Sequence, residues 1–159
     1  MKLKHLLLSS LILLSAGTAW ADVRINSANF PDANFRNYLL EQDYGSDGKL
    51  TNAEIAGVTS ISVPSMNIRS LKGIEYFTAL KILVCYSNQL TSLDVSKNTA
   101  LKWLYCNENQ LTSLDVSKNT ALKYLYCNNN QLTSLDVSKN SALQSLKCDP
   151  NVTVAGWPR

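Results

Sequence analysis

The stretch TALKWLYCNENQLTSLDVSKN, residues 99–119, occurs almost unchanged on both sides of itself. Residues 78–98 read TALKILVCYSNQLTSLDVSKN, and residues 120–140 read TALKYLYCNNNQLTSLDVSKN. A fourth copy begins at Ser141 and then diverges, so the copies start at 78, 99, 120 and 141, a period of 21 residues. A fixed period of this length predicts a solenoid, in which each copy packs mainly against its neighbours.

Within each copy, the apolar residues follow the spacing L-x-x-L-x-C-x-x-N-x-L. The pattern is that of a leucine-rich repeat with cysteine in place of the third leucine. In residues 78–98 it comprises Leu80, Leu83, Cys85, Asn88 and Leu90. We therefore predict a leucine-rich repeat solenoid of the α/β type, a right-handed superhelix. A parallel β-sheet forms its concave face and short turns its convex side.

The repeats divide the chain into four segments. A signal peptide (1–21) precedes an N-terminal cap (22–57), the repeats (58–150) and a C-terminal cap (151–159). Within the repeats we distinguish a divergent copy (58–77), three regular copies (78–98, 99–119, 120–140) and a partial copy (141–150).

The first 21 residues have the features of a secretory signal peptide. Lys2 and Lys4 precede a short apolar run at 6–14, and Ala19-Trp20-Ala21 is a small-residue cleavage site. The sequence thus predicts an exported protein: secreted, on the cell surface or periplasmic. No second long apolar run follows, so we expect no membrane insertion after cleavage.

Composition excludes several functional classes. The only histidine, His5, leaves with the signal peptide, so a Ser-His-Asp or Cys-His catalytic set is excluded after cleavage. We predict that the protein is not an enzyme. Without Lys2 and Lys4, 13 of the 15 basic residues remain against 12 acidic ones, and this weak charge argues against nucleic acid as a partner.

Four cysteines recur at one position of successive copies: Cys85, Cys106, Cys127 and Cys148. Because this position belongs to the core, we interpret them as a row of buried free thiols that act as small apolar side chains. Neighbouring parallel strands lie about 4.8 Å apart, within the range of a disulfide, so pairing remains the alternative.

The N-terminal cap contains a sequence that resembles an EF-hand loop between Asp43 and Glu54. It predicts calcium as the one cofactor, bound by Asp43, Asp47, the Lys49 carbonyl, Thr51 and Glu54. Thr51 and Glu54 also fit a capping box, which would start a helix at 52–56 without any metal. Both alternatives remain open at this point.

Apolar residues of the same segment are expected to cover the end of the solenoid core. Pro31 favours the start of a helix, and Phe35 and Leu39 would lie on one face of a helix at about 31–42. The covering residues should be Phe30, Phe35, Leu39, Leu50 and Ile55. At the other end, Trp157 should fold over the last exposed part of the core.

Asparagines follow each predicted strand at the repeat spacing. Asn88, Asn109, Asn130 and Asn151 are predicted to form a row that satisfies backbone groups where the chain leaves the sheet.

Aromatic residues dominate the strand positions that point away from the core. Three rows result: Ile82, Trp103, Tyr124, Ser145; then Val84, Tyr105, Tyr126, Lys147; then Tyr86, Asn107, Asn128, Asp149. Exposed aromatic patches are typical of binding sites. We therefore predict a ligand-binding site at Tyr86, Trp103, Tyr105, Tyr124, Tyr126, Asn107, Asn128 and Lys147. The alternative is that stacked aromatics only stabilise neighbouring strands.

The unit LxxLxCxxNxLTxLDVSxNxxL resembles the cysteine-containing repeats of the bacterial internalins. The segments NFPDANFRNYLLEQ and SLKGIEYFTALK are similar to the N-terminal part of exported leucine-rich repeat proteins of Bacteroides-like bacteria. The resemblance implies a secreted or surface protein without enzymatic activity that binds a protein or glycan through its concave face, in adhesion or host interaction. The alternative is a structural or calcium-stabilised scaffold without its own ligand.

Overall fold

A computed structural model describes residues 22–158. The predicted signal peptide and Arg159 lie outside the described residues. In chain order, the cap holds β1 (Val23–Arg24), α1 (Ala33–Leu40), a 3-10 turn (Asp43–Gly45), β2 (Lys49–Leu50) and α2 (Asn52–Gly57). The repeats hold β3 (Ser60–Ser62), a 3-10 turn (Ile74–Tyr76), β4 (Ile82–Val84), β5 (Trp103–Tyr105), β6 (Tyr124–Tyr126), β7 (Ser134–Asp136), β8 (Ser145–Lys147) and β9 (Thr153–Ala155).

Five strands form one parallel sheet in the order β3-β4-β5-β6-β8. Each strand comes from one copy, and Leu83 pairs with Leu104, which pairs with Leu125. Paired positions are thus equivalent positions of the repeat, as a solenoid requires. The predicted leucine-rich repeat solenoid is confirmed.

The core is a set of rows of equivalent side chains. Leu83, Leu104 and Leu125 are fully buried, as are the cysteines two positions after them in the same three copies. The divergent first copy buries Val58, Ile61, Val63, Ile68 and Leu71. Full burial of a leucine side chain contributes about 1.5–3 kcal/mol. This burial recurs in the three regular copies, so the stacking of copies stabilises the fold.

The asparagine row after the strands links four successive copies. Asn109 Nδ2 donates to the carbonyls of Cys85 and Cys106 at 3.0 and 3.1 Å, and Asn109 Oδ1 accepts from the amide of Leu90 at 3.0 Å. Asn88 and Asn130 make the equivalent bonds. One side chain therefore satisfies groups from two adjacent copies.

The prediction for Asn151 is wrong. Its side chain is exposed, and the row ends at Asn130. The Asp149 carboxylate accepts instead from the amides of Asn129 and Asn130, at 2.7 and 3.2 Å. The chain also turns here, since the amide of Val152 donates to the carbonyl of Asp149 at 3.1 Å.

A second buried asparagine row lies on the convex side, at Asn98, Asn119 and Asn140. Asn119 Nδ2 donates to the carbonyls of Val95 and Asn98 at 3.0 and 2.9 Å. Each of these residues thus links its turn to the preceding copy.

The N-terminal cap covers the first copy largely as expected. Phe30, Phe35, Leu39 and Leu50 are fully buried, whereas Ile55 is only partly buried. Helix α1 begins later than predicted, because Asp32 is its N-cap and accepts from the amides of Asn34 and Phe35 at 2.9 and 3.0 Å. An aspartate side chain satisfies these free amides, which the preceding proline cannot do.

The C-terminal segment continues the repeat before it ends. Strand β9 pairs in parallel with β7, so that Val154 lies opposite Leu135. We expected a cap from residue 151 onwards, but the convex side of the last copy extends to Ala155. Trp157 packs against the core, as predicted. Among residues 22–158, no helix is long and apolar enough to cross a membrane.

Candidate binding face

The outward residues of the five-stranded sheet form the predicted rows. Ile82 pairs with Trp103, Trp103 with Tyr124, and Tyr124 with Ser145. The next row likewise runs through Val84, Tyr105, Tyr126 and Lys147. The parallel register thus brings Trp103, Tyr105, Tyr124 and Tyr126 together on one face. We call this surface the aromatic face.

The rings within each row contact one another. The rings of Trp103 and Tyr124 are parallel within 3°, with centroids 6.1 Å apart. Tyr105 and Tyr126 meet edge to face, with centroids 5.0 Å apart. All four side chains are half-buried. Burial raises the pKa of Tyr105, and the neighbouring tyrosines Tyr126 and Tyr124 add to the shift.

The two sides of the Tyr124 ring have different neighbours in their row. Trp103 lies beside one face of the Tyr124 ring, and Ser145 occupies the neighbouring position on the other side. In the next row the corresponding position holds Lys147, whose Nζ lies 4.6 Å from the centroid of the Tyr126 ring. Ser145 is too small to cover Tyr124 as Lys147 covers Tyr126. This row therefore places no large side chain beside Tyr124 on the Ser145 side.

Polar side chains border the face where the strands end. Tyr86 is 38 % exposed, and Asn107 and Asn128 are half-buried. The side chain of Asn107 donates to Glu108 at 3.3 Å. Glu108 and Asp149 make this border acidic.

Lysines border the face where the strands begin. Lys81, Lys102 and Lys123 each directly precede a strand. The amides of Lys102 and Lys123 donate to the carbonyls of Lys81 and Lys102, both at 2.8 Å. We call these three residues the lysine row. The two edges of the aromatic face thus carry opposite charge.

The loop predicted to bind calcium is held by its own hydrogen bonds. The Glu54 carboxylate accepts from the amide and hydroxyl of Thr51 at 2.7 and 2.8 Å, and these bonds lower the pKa of Glu54. Asp47 accepts from the amide of Lys49, whose Nζ pairs with Asp22 at 2.9 Å. The capping box is present, which is the metal-free alternative.

The calcium ligands are not assembled in this arrangement. Within residues 22–158, no group of three or more His, Cys, Asp or Glu side chains is placed to hold a metal ion. The residues as arranged do not fit a calcium site, since the Glu54 oxygen that would serve as ligand already accepts two bonds. Calcium binding by Asp43, Asp47, Lys49, Thr51 and Glu54 stays a prediction.

The cysteine row is buried at three of its four positions. Cys85, Cys106 and Cys127 are inaccessible, whereas Cys148 is partly exposed, and all four are free in this structure. Burial raises the pKa of Cys85 and of Cys127 to about 12. A thiol with so high a pKa is a poor nucleophile at neutral pH. The oxidation state in solution stays a prediction.

Comparison with known proteins agrees with the fold. The family described as Leucine Rich repeats (2 copies) matches residues 99–149. Internalin J of Listeria monocytogenes serotype 4b is 39% identical over 70 residues, which cover 43% of this chain and 8% of the relative. The functional domain of InlJ from Listeria monocytogenes, which includes a cysteine ladder, matches with a TM-score of 0.57 at 30% identity, over 86% of this chain and 35% of that chain.

A second solved structure supports the fold alone. The internalin inlF of Listeria monocytogenes strain 4b F2365 matches with a TM-score of 0.66 at 23% identity, over 84% of this chain and 47% of that chain. The chain spans less than half the length of the relatives that it matches. The class of protein is a leucine-rich repeat solenoid. More particularly, its repeats are similar to those of the internalins.

The sequence identifies only part of the lysine row. Lys102 and Lys123 flank the aromatic residues and are predicted to pair with an acidic rim on a ligand, whereas Lys81, one period earlier, was missed.

Proposed function

We propose that this protein is an exported, non-enzymatic recognition module that binds a protein or glycan through the aromatic face. The observation that carries the proposal is the convergence of Trp103, Tyr105, Tyr124 and Tyr126 on one side of a rigid parallel sheet. Tyrosine and tryptophan are favoured in binding surfaces because they offer a large contact area and lose little conformational freedom. The internalin-like repeats support a role in molecular interaction.

The aromatic face should lose little side-chain conformational entropy when it binds a ligand. The four rings already form two contacting pairs in the free protein, so binding would order few additional side-chain rotations. The four rings lie between an acidic and a basic edge. Binding surfaces commonly have this arrangement, with an apolar centre and a polar rim. We propose further that Tyr86, Asn107, Asn128 and Lys147 contribute polar contacts at that rim. The adhesion or host-interaction role and the export of the protein are parts of the same proposal.

The test is a binding screen of residues 22–159 on arrays of extracellular proteins and glycans. A variant with Trp103, Tyr105, Tyr124 and Tyr126 changed to serine should lose every specific hit while its circular dichroism stays that of a folded protein. The matched control changes Gln89, Gln110 and Gln131 to serine, since these residues recur outside the strands, and it should bind as the parent does.

Two outcomes would contradict the proposal. Binding that survives in the serine variant would place the ligand elsewhere on the protein. Unfolding of the serine variant, together with an absence of hits for the parent, would assign the aromatic residues to stability alone. In that case the protein would be a scaffold module.

A further inference from the structure

The last strand of the five-stranded sheet has a free edge. Strand β8 pairs with β6 and, among residues 22–158, with no other strand. The amide of Ser145 donates to the carbonyl of Lys123 at 3.1 Å, and the carbonyl of Lys147 accepts from the amide of Cys127 at 2.8 Å. Backbone groups of successive residues point to opposite sides of a strand, so those of Leu146 point away from β6. A further strand can pair with them.

The opposite edge of the sheet is covered by the cap. The amide of Ser62, in β3, donates to the hydroxyl of Tyr38 at 3.4 Å. Phe30 and Phe35 of the cap are fully buried in the core at this end. Another molecule therefore cannot stack on β3 unless it displaces the cap.

The end of the core beside β8 is only partly covered. Leu143, Leu146 and Cys148 are partly buried, whereas the residues at the same positions of the three regular copies are fully buried. Trp157 packs against the core, but β9 pairs with β7 on the convex side and leaves β8 at the edge of its sheet. A strand bound to β8 would cover both the apolar side chains and the free backbone groups.

The lysine of β8 does not protect this edge. A lysine on an edge strand commonly opposes pairing with another chain, because its charge lies where the new strand would bind. Here the Nζ of Lys147 lies 4.6 Å from the centroid of the Tyr126 ring, which belongs to the neighbouring strand β6. The charge is therefore directed into its own sheet and away from the free edge.

From these observations we infer that β8 binds β8 of a second molecule of this chain, in an antiparallel pair with Leu146 on the two-fold axis. The covered end at β3 favours a closed dimer, because head-to-tail association requires two exposed ends. The two five-stranded sheets become one sheet of ten strands. Opposed residues in a strand pair point to the same face, so the aromatic faces of both molecules lie on one side. This inference does not depend on the ligand of that face.

The side chains of β8 are compatible with this register. With Leu146 opposite the same residue of the second molecule, Lys147 lies opposite the partner subunit's Ser145, so no like charges are directly opposed. A strand of a different protein could also pair with the edge through its backbone. The self-complementary pattern of β8 and the closure of the assembly favour a second molecule of the same chain.

The first experiment is sedimentation velocity of residues 22–159 over a range of protein concentrations. We expect a concentration-dependent shift from the monomer to twice its mass. Ser145→Lys should weaken the dimer about fivefold or more, because it places a lysine opposite Lys147 at two symmetric positions. Ser145→Glu should instead tighten it about threefold or more, because opposite charges then face each other. Both effects should shrink as salt is raised.

The matched controls are Ser113→Lys and Ser113→Glu, which make the same changes in net charge at an exposed position of a regular copy. They should change the dimer dissociation constant by about twofold or less. Circular dichroism should show that all four variants are folded. The double variant Ser145→Lys with Lys147→Glu exchanges the two positions and should restore the dimer that Ser145→Lys weakens.

Disulfide formation tests the register directly, in a background of Cys148→Ser. Positions 145 and 147 face each other across the axis as a non-hydrogen-bonded pair, with Cα atoms about 4.5 Å apart, within the range of a disulfide. A mixture of the Ser145→Cys and Lys147→Cys proteins should form a cross-linked dimer under mild oxidation. Either protein alone should cross-link far more slowly, because equal positions lie diagonally at about 7–8 Å. If Ser145→Lys does not fold, this measurement decides the question.

Several results would overturn the inference. A parent protein that remains monomeric at every concentration would exclude the dimer, and binding of a strand-forming peptide by such a monomer would assign the edge to another protein. Equal effects of Ser145→Lys and Ser145→Glu would place the contact elsewhere. Rapid cross-linking of the Ser145→Cys protein alone would exclude this register. None of these results affects the proposed function, which the binding screen tests separately.

Discussion

The ring of Trp103 lies parallel to the ring of Tyr124, within 3° and with centroids 6.1 Å apart. The two residues are 21 positions apart in the chain and directly opposed in the sheet. Their contact is therefore a direct consequence of the repeat. It orders the centre of the aromatic face before any ligand is bound.

The contact should contribute measurably to stability. In a double-mutant cycle of Trp103→Ala and Tyr124→Ala, we expect a coupling free energy of about 0.5–1 kcal/mol, since aromatic pairs on adjacent strands contribute amounts of this size. The measurement is urea denaturation of the parent, the two single variants and the double variant. A cycle of Trp103 with Ser145, which is two strands away, should give a coupling near zero. Equal coupling in both cycles would contradict direct contact as the cause.

Asn109→Ala should destabilise the protein by about 2–4 kcal/mol, because it leaves several buried backbone groups without partners. The lost bonds are those to Cys85, Cys106, Asn107 and Leu90. The measurement is the shift of the urea midpoint at constant slope. The control is Asn151→Ala, which occupies the same repeat position but is exposed and should change stability by less than about 0.5 kcal/mol. Similar effects of the two variants would be inconsistent with the end of the row at Asn130.

Gly73→Ala should loosen the attachment of the cap to the first copy. Gly73 has φ +104°, and a Cβ there would collide with the ring of Phe30 and approach the carbonyl of Asn29 to 2.9 Å. We expect a loss of about 2–4 kcal/mol from backbone strain and the collision together. Gly57→Ala is the control, since its Cβ would meet nothing within 4 Å and its φ is not in the positive range. Thermal denaturation should show that this control is as stable as the parent or slightly more so.

The buried thiols should make the protein less stable at alkaline pH. The pKa of Cys85 is about 12 in the folded state and near its ordinary value of 9.0 in the unfolded chain. Both states keep the proton below pH 9. Between pH 9 and 12 only the unfolded state loses it, so the free energy of unfolding falls by about 1.4 kcal/mol per pH unit for each such thiol.

Urea denaturation between pH 8 and pH 11 measures this slope. The variant Cys85→Val lacks one titrating thiol and should show a shallower slope by about 1.4 kcal/mol per pH unit. An unchanged slope would contradict a free buried thiol at this position. A count of four reactive thiols in the denatured parent would establish that the cysteine row is reduced.

Thr51→Ala should destabilise the cap by about 1 kcal/mol, because it removes the hydrogen bonds of the capping box. We expect this loss to be the same in calcium and in a chelator, since the box forms without metal. Calorimetry of parent and variant in both solutions provides the measurement. A melting temperature of the parent that rises by several degrees with calcium would instead establish the predicted calcium site at Asp43–Glu54.

Most of the fold could be predicted because each repeat makes the same contacts with its neighbours. The burial of Leu83 and Cys85, the row order on the concave face and the capping function of Asn88 all follow from the period alone. Predictions were less accurate at the ends of the solenoid. Asn151 occupies the repeat position of Asn130 but is exposed, and the strand at 153–155 pairs with 134–136 at an offset of 19 residues, two fewer than the repeat.

The candidate site was predicted in composition but not in shape. The list of outward aromatic residues could be read from alternation along a strand. The angles between the rings could not, because the parallel contact of Trp103 with Tyr124 and the edge-to-face contact of Tyr105 with Tyr126 depend on side-chain packing.

By itself the sequence determined the period, and with it the solenoid, its core rows and the five strands of the sheet. The physical reason is that identical units stack most stably with equivalent positions in contact, so one copy specifies the next. Only the tertiary structure decided where the asparagine row ends, how the cap attaches through Gly73, and how the rings of the aromatic face meet. These features depend on contacts between residues whose partners lie in other copies or in the cap, and no single repeat encodes them.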